Sequence, residues 1–260
     1  MAELITRKEK LVGWIIFSNP AKFNAVSHDM WAALPQCIAA FDADPEVRLI
    51  VITGEGEKAF ISGADISQFE KARGSAEAQA VYNRAVIDAY EAPVRCSKPV
   101  VAKIRGICMG GGLGLAAACD VRIAAEDAVF RMPAARLGLG YNFTGITRFV
   151  QLLGQANTSD IFFSARKFGA ADALSMGFVN RVVPVADLDR EVDAYCEMIA
   201  ENAPLTIAAA KFAIRQTGLD ASARNLDETS GMIEACFNSE DYREGRKAFM
   251  EKRKPNFTGK

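Results

Sequence analysis

The sequence is poor in the residues from which metal and redox sites are usually built. His28 is its only histidine, which excludes a multi-histidine metal site and disfavours a Ser-His-Asp triad. None of the six cysteines forms a Cys-x-x-Cys pair, and most lie in apolar stretches. We interpret them as small, reduced core residues and predict no metal site. His28 follows Ser27 at a predicted helix start, where a surface or capping role is expected.

Strong net charge and long apolar runs are also missing. The formal net charge of −1 gives no basic field, so no nucleic-acid partner is expected. No apolar run is long enough to span a bilayer, and the first ten residues lack the pattern of a signal peptide. The expectation is therefore a cytoplasmic protein without a membrane partner, with 260 residues that suit one large domain.

Short apolar runs alternate with amphipathic segments through most of the chain. We predict strands at Glu3 to Thr6, Leu11 to Phe17, Leu49 to Ile52, Pro99 to Ala102, Val121 to Ala124 and Val179 to Val183. Helices are predicted from Ser27 to Phe41 and from Ala76 to Glu91, and the chain after Asp187 shows helical spacing throughout. The order indicates an α/β fold with a buried sheet, divided into a core at residues 1–195 and a C-terminal helical region at residues 196–260.

Two glycine-rich segments are the strongest candidates for a functional site. The first runs from Ala59 to Ile66, and the second from Gly106 to Ala116 contains three consecutive glycines before an alanine-rich helix. Such glycines allow unusual backbone dihedrals and close approach to a ligand, and they aim free N–H groups of a helix N-terminus at it.

Three interpretations of these glycines compete. The run Gly112-x-Gly114-x-x-Ala117 resembles a dinucleotide fingerprint, but the acidic residue expected about twenty positions later is not clear. A P-loop is excluded because no Gly-Lys-Ser/Thr follows. The glycines could also serve helix–sheet packing alone. The third interpretation takes both segments together as one site.

Taken together, the two segments resemble the paired signature of the crotonase (enoyl-CoA hydratase/isomerase) superfamily. The matching residues are Phe60-x-Ser62-Gly63-Ala64-Asp65-Ile66, then Gly110-Gly111-Gly112 with Leu115-Ala116 and Cys119-Asp120, with further matches at Asn19-Pro20, Phe23-Asn24-Ala25 and the C-terminus. The resemblance implies a crotonase-type α/β spiral of strand–strand–helix units. It also implies a C-terminal helical region that assembles a homotrimer or homohexamer.

The resemblance further assigns residues to a site. It implies that the N–H groups of Ala64 and Gly111 form an oxyanion hole for a thioester enolate. Coenzyme A would enter as part of an acyl-CoA substrate, with no separate cofactor. Its expected contacts are Lys22, Ala64, Ile66, Phe249 and Lys252, although a solvated face is the competing interpretation of the two lysines.

The two glutamates that family members use for hydration have no counterpart here. Their positions hold Gly114 and Ala134. The nearby run from Leu137 to Ile146 resembles the methylmalonyl-CoA decarboxylase branch, which marks Tyr141 and Asn142 as catalytic candidates. The match is incomplete, because that branch has a histidine at the Ala64 position and an acidic residue at the Gly114 position.

Three functions follow from this pattern. The favoured one is decarboxylation of a malonyl-type CoA thioester, because loss of CO₂ yields the enolate without a base. The site would need an apolar pocket, for which Ala134, Leu139 and Phe143 are candidates. The second function is an enoyl-CoA hydratase or isomerase that uses other acid/base residues. The third is a CoA-binding protein that has lost catalysis.

Overall fold

The computed structural model describes residues 2–65 and 76–260, so Ile66 lies outside the described residues. The strands are β1 (Glu3–Glu9), β2 (Val12–Ser18), β3 (Leu49–Gly54), β4 (Ala59–Ile61), β5 (Val100–Ile104), β6 (Ile107–Met109), β7 (Val121–Ala125), β8 (Val129–Arg131), β9 (Lys167–Gly169) and β10 (Arg181–Val183). The helices are α1 (His28–Ala43), α2 (Ala76–Arg95), α3 (Gly111–Ala118), α4 (Phe143–Ser164), α5 (Ala170–Ser175), α6 (Leu188–Ala200), α7 (Pro204–Thr217), α8 (Leu226–Asn238) and α9 (Glu240–Glu251).

The larger sheet has the order β1-β2-β3-β5-β7-β10. In this sheet β1 and β2 pair antiparallel, whereas the other described neighbours pair parallel. Glu9 pairs with Val12 next to the connection of β1 and β2. The expectation that the first strand ends at Thr6, which leaves a turn from Arg7 to Lys10 before the next strand, is therefore wrong. The strand continues through Arg7 to Glu9, and the turn is made by Lys10 and Leu11, where Lys10 adopts a left-handed φ of 52°. The remaining predicted strands of this sheet are confirmed within a few residues of their ends.

The central strands of this sheet are buried on both faces, which explains why β3 and β5 are apolar without alternation. In β3, Ile50 and Ile52 face the main core beneath α1, whereas Leu49 and Val51 face a second cluster. That second cluster also contains Leu188, Val192 and Cys196 of α6. Successive side chains of a strand point to opposite faces, so one short run supplies both cores.

A smaller sheet of order β4-β6-β8-β9 positions the functional loops. Strands β4, β6 and β8 are parallel neighbours. Because the carboxyl ends of parallel strands meet at one edge, the loops that follow them must converge. These loops carry Gly63 and Ala64 after β4, Gly110 and Gly111 after β6, and Ala134 after β8.

The regular structure from Leu188 to Glu251 is helical, as predicted, and no helix is assigned to residues 252–260. Helix α6 crosses the predicted division at residues 195 and 196 and packs on the larger sheet. Helices α7 to α9 expose several large apolar side chains, namely Ile214, Leu226, Ile233, Phe237, Phe249 and Met250. Across the described ranges, no helix combines the length and apolar character needed to cross a membrane.

Candidate active site

The two glycine-rich segments lie against each other at the edge of the smaller sheet. A Cβ atom built on Gly63 would lie 3.4 Å from the carbonyl oxygen of Met109 and 3.8 Å from the nitrogen of Gly111. Gly63 has a φ of +119° and Gly110 a φ of +52°, a region that residues with side chains rarely adopt. The glycines therefore serve both the turn and the close approach of the two backbones.

The backbone N–H groups of Ala64 and Gly111 are left without an acceptor among the described residues. The neighbours of Ala64 are used in a short bridge: Val26 donates to the Gly63 carbonyl at 2.8 Å, and Asp65 donates to the Val26 carbonyl at 2.9 Å. Gly111 is the first residue of α3, where an N–H has no intrahelical partner. Two free donors therefore occur on adjacent segments, and Ala64 is only partly buried.

Gly114 faces two tyrosine hydroxyls. A Cβ atom built on Gly114 would lie 2.7 Å from the Tyr90 hydroxyl oxygen and 2.8 Å from that of Tyr141. The space that a longer side chain at position 114 would enter is therefore already filled. Ala134, the other position without a carboxylate, is buried at the start of a short 3-10 turn.

The run around Tyr141 has a direct structural explanation. A Cβ atom on Gly145 would lie 2.5 Å from Cε1 of Tyr141, so the glycine makes room for the ring. Asn142 caps helix α4, with its side-chain oxygen accepting from the Gly145 N–H at 2.7 Å. The tyrosine ring packs edge-on against Phe149 and Phe162 at centroid distances of 6.4 and 5.1 Å. Tyr141, Asn142 and Gly145 thus together direct the Tyr141 hydroxyl towards the interior.

The Tyr141 hydroxyl is buried and makes no hydrogen bond with the part of the chain that the structure describes. Burial raises the pKa of Tyr141 to about 12, against a smaller opposing effect from the Tyr90 hydroxyl. The group is therefore a neutral phenol at physiological pH. It retains a proton that it can donate to a bound ligand.

A cavity of about 30 Å³ adjoins these tyrosines. Gly114, Asn142, Arg148 and Glu91 contribute to its lining. A volume of this size accommodates one or two water molecules. Burial lowers the pKa of Arg148, which has no hydrogen bond or ion pair among the described residues. Glu91 is the carboxylate of the lining, and its side chain forms an ion pair with Arg95 one helical turn away.

The remaining predicted contacts are more dispersed. Lys22 lies near the first glycine segment, where its Nζ pairs with the buried Asp65 carboxylate at 2.8 Å. Phe249 is 83% exposed on α9, and Lys252 follows at the end of that helix. Phe143 is 84% exposed, so the expectation that it lines the pocket is wrong: as the first residue of α4 its side chain points away from the core.

Sequence reasoning missed Tyr90. Its hydroxyl donates a hydrogen bond to the Gly111 carbonyl at 3.1 Å, and its ring packs edge-on against Trp31 at 5.6 Å. Burial raises the pKa of Tyr90 well above its usual range. Nothing in the sequence marks it, because it is one apolar position among several on an amphipathic helix.

Comparison with known proteins agrees with this architecture. The family model for enoyl-CoA hydratase/isomerase matches residues 7–260. A crotonyl-CoA hydratase of Syntrophomonas wolfei is 34% identical, covering 99% of this chain and 98% of its own. A peroxisomal Delta(3,5)-Delta(2,4)-dienoyl-CoA isomerase of Arabidopsis thaliana is 30% identical, covering 94% and 91%. The crystal structure of an enoyl-CoA hydratase from Bacillus anthracis, 29% identical, superposes with a TM-score of 0.91 over 99% of both chains. The chain therefore belongs to the enoyl-CoA hydratase/isomerase family of the crotonase superfamily.

Proposed function

We propose that this enzyme stabilises the enolate of an acyl-CoA thioester at the N–H groups of Ala64 and Gly111 and forms that enolate by decarboxylation of a malonyl-type thioester. The observation that carries the reaction type is the filling of the space beside Gly114 by two tyrosine hydroxyls. A hydratase-type glutamate has no room there. A reaction that generates the enolate without a base suits this arrangement.

The chemical step balances with the groups available. The bond between the α-carbon and the carboxylate breaks and CO₂ leaves. The electron pair of that bond stays with the α-carbon and is delocalised into the thioester carbonyl as an enolate. Two N–H donors aimed at the thioester oxygen stabilise that charge more strongly in the transition state than in the ground state, at about 3 kcal/mol each. Water then supplies a proton to the α-carbon, which gives the shorter acyl-CoA, and the hydroxide left behind combines with CO₂ as bicarbonate.

Tyr141 has the role of orienting the carboxylate that departs. Its hydroxyl is buried, protonated and without a partner among the described residues. Asn142 has a narrower role, because its oxygen already caps α4 and only its amide NH₂ can contact a substrate. A neutral phenol holds the carboxylate by one hydrogen bond without providing the strong solvation that would slow its loss.

We assign binding of the CoA portion to Lys22, Ala64 and Ile66. Phe249 and Lys252 are assigned to the CoA of a neighbouring subunit. The exposure of Phe249 supports a role outside its own core. The apolar surface of α7 to α9 supports a homotrimer or homohexamer, because exposed apolar patches of this kind mark interfaces. Light scattering of the purified protein measures that assembly directly.

A second function, enoyl-CoA hydration or isomerisation, is favoured by two observations. One is the 34% identity to a crotonyl-CoA hydratase. The other is Glu91, which shares the cavity with Gly114 and Tyr141 and offers a carboxylate for proton transfer. Against it stands the ion pair of Glu91 with Arg95, which occupies that carboxylate.

One assay panel separates these functions. The purified enzyme is incubated with malonyl-CoA, methylmalonyl-CoA, crotonyl-CoA and a 3-enoyl-CoA, and the products are followed by mass. We expect CO₂ loss from a malonyl-type thioester and no comparable hydration of crotonyl-CoA. Hydration that exceeds decarboxylation and falls about 10²-fold in Glu91→Gln would establish the second function. Tight CoA binding without turnover of any thioester would indicate a non-catalytic protein.

A further inference from the structure

Tyr90 connects α2 to the first turn of α3, where the proposed oxyanion donor lies. Its hydroxyl donates to the Gly111 carbonyl at 3.1 Å. A Cβ atom on Gly111 would lie 2.9 Å from Cζ2 of Trp31 and 3.5 Å from the Tyr90 hydroxyl, so the Gly111 backbone lies directly against both aromatic side chains. The orientation of this residue is therefore fixed from outside its own helix.

This external support matters because α3 has little support of its own at that end. The residue before it, Gly110, provides no side-chain cap. Glycines at positions 111, 112 and 114 give the first turn more conformational freedom than other residues would. A hydrogen bond to the Gly111 carbonyl restricts that freedom at the residue whose N–H must point at the substrate.

Tyr90 also lies beside the second functional element of the site. Its hydroxyl and that of Tyr141 both lie within 2.8 Å of the Cβ position of Gly114. Burial raises the pKa of Tyr141 and the nearby Tyr90 hydroxyl opposes this in part, in keeping with the shared position of the two groups over Gly114. The aromatic contact with Trp31 holds the Tyr90 ring in this position.

We propose that Tyr90 is a positioning residue that aims both the Gly111 N–H and the Tyr141 hydroxyl at the thioester. Its hydroxyl occupies the space beside Gly114 where family members place an acid/base carboxylate. In this chain the group in that space aligns the oxyanion hole instead. This role rests on the proposed enolate-stabilising function. It does not depend on which acyl group the enzyme accepts.

The test is the infrared carbonyl stretch of bound acetyl-CoA that carries ¹³C at its thioester carbonyl. Hydrogen bonds from an oxyanion hole polarise this carbonyl and lower its frequency. The variant Tyr90→Phe keeps the ring and removes only the hydroxyl. The matched control is Tyr195→Phe, which removes a phenol oxygen from α6 beside Arg181, in the second hydrophobic cluster.

We expect Tyr90→Phe to lose at least half of the downshift seen in the wild-type enzyme, whereas Tyr195→Phe keeps all of it. The turnover number on the best substrate should fall about tenfold with little change in KM, less than the ~10²–10³ for loss of a whole oxyanion donor. A full downshift in Tyr90→Phe would overturn the role of Tyr90 and leave the oxyanion hole intact. No downshift in the wild-type enzyme would overturn both.

A second variant perturbs the same contacts from the other side. In Gly114→Ala, the added methyl would lie 2.7 and 2.8 Å from the two hydroxyls, so both must move while both phenols remain. We expect the same loss of downshift as in Tyr90→Phe. Retention of the full downshift in Gly114→Ala would contradict the proposal even if Tyr90→Phe failed to fold.

Discussion

Replacement of Tyr141 by Phe should make the protein more stable and less active. The hydroxyl oxygen is buried and lacks a hydrogen-bond partner among the described residues. An unsatisfied buried polar group costs about 1–3 kcal/mol, and Phe fills nearly the same volume. The small void left by the oxygen offsets part of the gain, so we expect the free energy of unfolding to rise by about 1 kcal/mol. For a chain of this size, that corresponds to a melting temperature about 2 °C higher.

The same substitution should lower the rate on the best thioester substrate about 10²-fold, because a donor in a water-excluded site is lost. The two measurements are differential scanning calorimetry of the ligand-free protein and initial rates at saturating substrate. Tyr195→Phe serves as the control, with both quantities unchanged. A melting temperature lowered by more than about 2 °C would show that the hydroxyl has a stabilising partner. An unchanged rate would remove Tyr141 from the mechanism.

Three further substitutions test the framework of the site. Arg122→Met removes hydrogen bonds to carbonyl groups at the end of α3, and urea unfolding should show a loss of about 3 kcal/mol; a loss below about 1 kcal/mol would contradict this. Burial raises the pKa of Asp42, but hydrogen bonds from Ser97 lower it by more, so the net pKa is depressed. The stability that the ionised Asp42 contributes is therefore lost as the pH falls below about 4. Asp42→Asn should therefore flatten the dependence of melting temperature on pH between about pH 5 and 3, and an unaltered slope would refute the assignment. Gly112→Ala would place a methyl 2.3 Å from the Ile61 carbonyl oxygen and should destabilise the fold by about 2–3 kcal/mol in the same urea assay. A variant with wild-type stability would show that β4 moves aside without cost.

Much of the fold could be predicted because the apolar patterning is strong. The run Leu49 to Ile52 is apolar at every position, which requires burial on both faces, and the structure places it at the centre of the larger sheet. The helical spacing after Asp187 was equally informative. The hairpin turn differs from the prediction, because charged residues such as Arg7 to Glu9 are typical of a loop. Those side chains lie on an edge strand, where charge is compatible with pairing.

The site likewise contains residues that the sequence predicts and one that it does not. The glycines at positions 63, 110 and 111 could be predicted as a site because close backbone approach needs glycine. Their proximity follows from the parallel pairing of β4 and β6. Tyr90 could not be found, because its position depends on how α2 packs against α3, and no local pattern encodes that contact. Whether Ala64 and Gly111 act as the oxyanion donors stays a prediction.

The two hydroxyls beside Gly114 also limit which single substitutions the site can accept. A change of Gly114 to glutamate would insert a carboxylate into space already held by Tyr90 and Tyr141, and by itself it would disorder the site. Removal of either tyrosine first would take away a group on which the proposed decarboxylation depends, without supplying a new acid. We therefore expect that carboxylate chemistry at position 114 requires several substitutions together. The packing at one glycine thus separates the present site from a carboxylate-bearing one by more than one substitution.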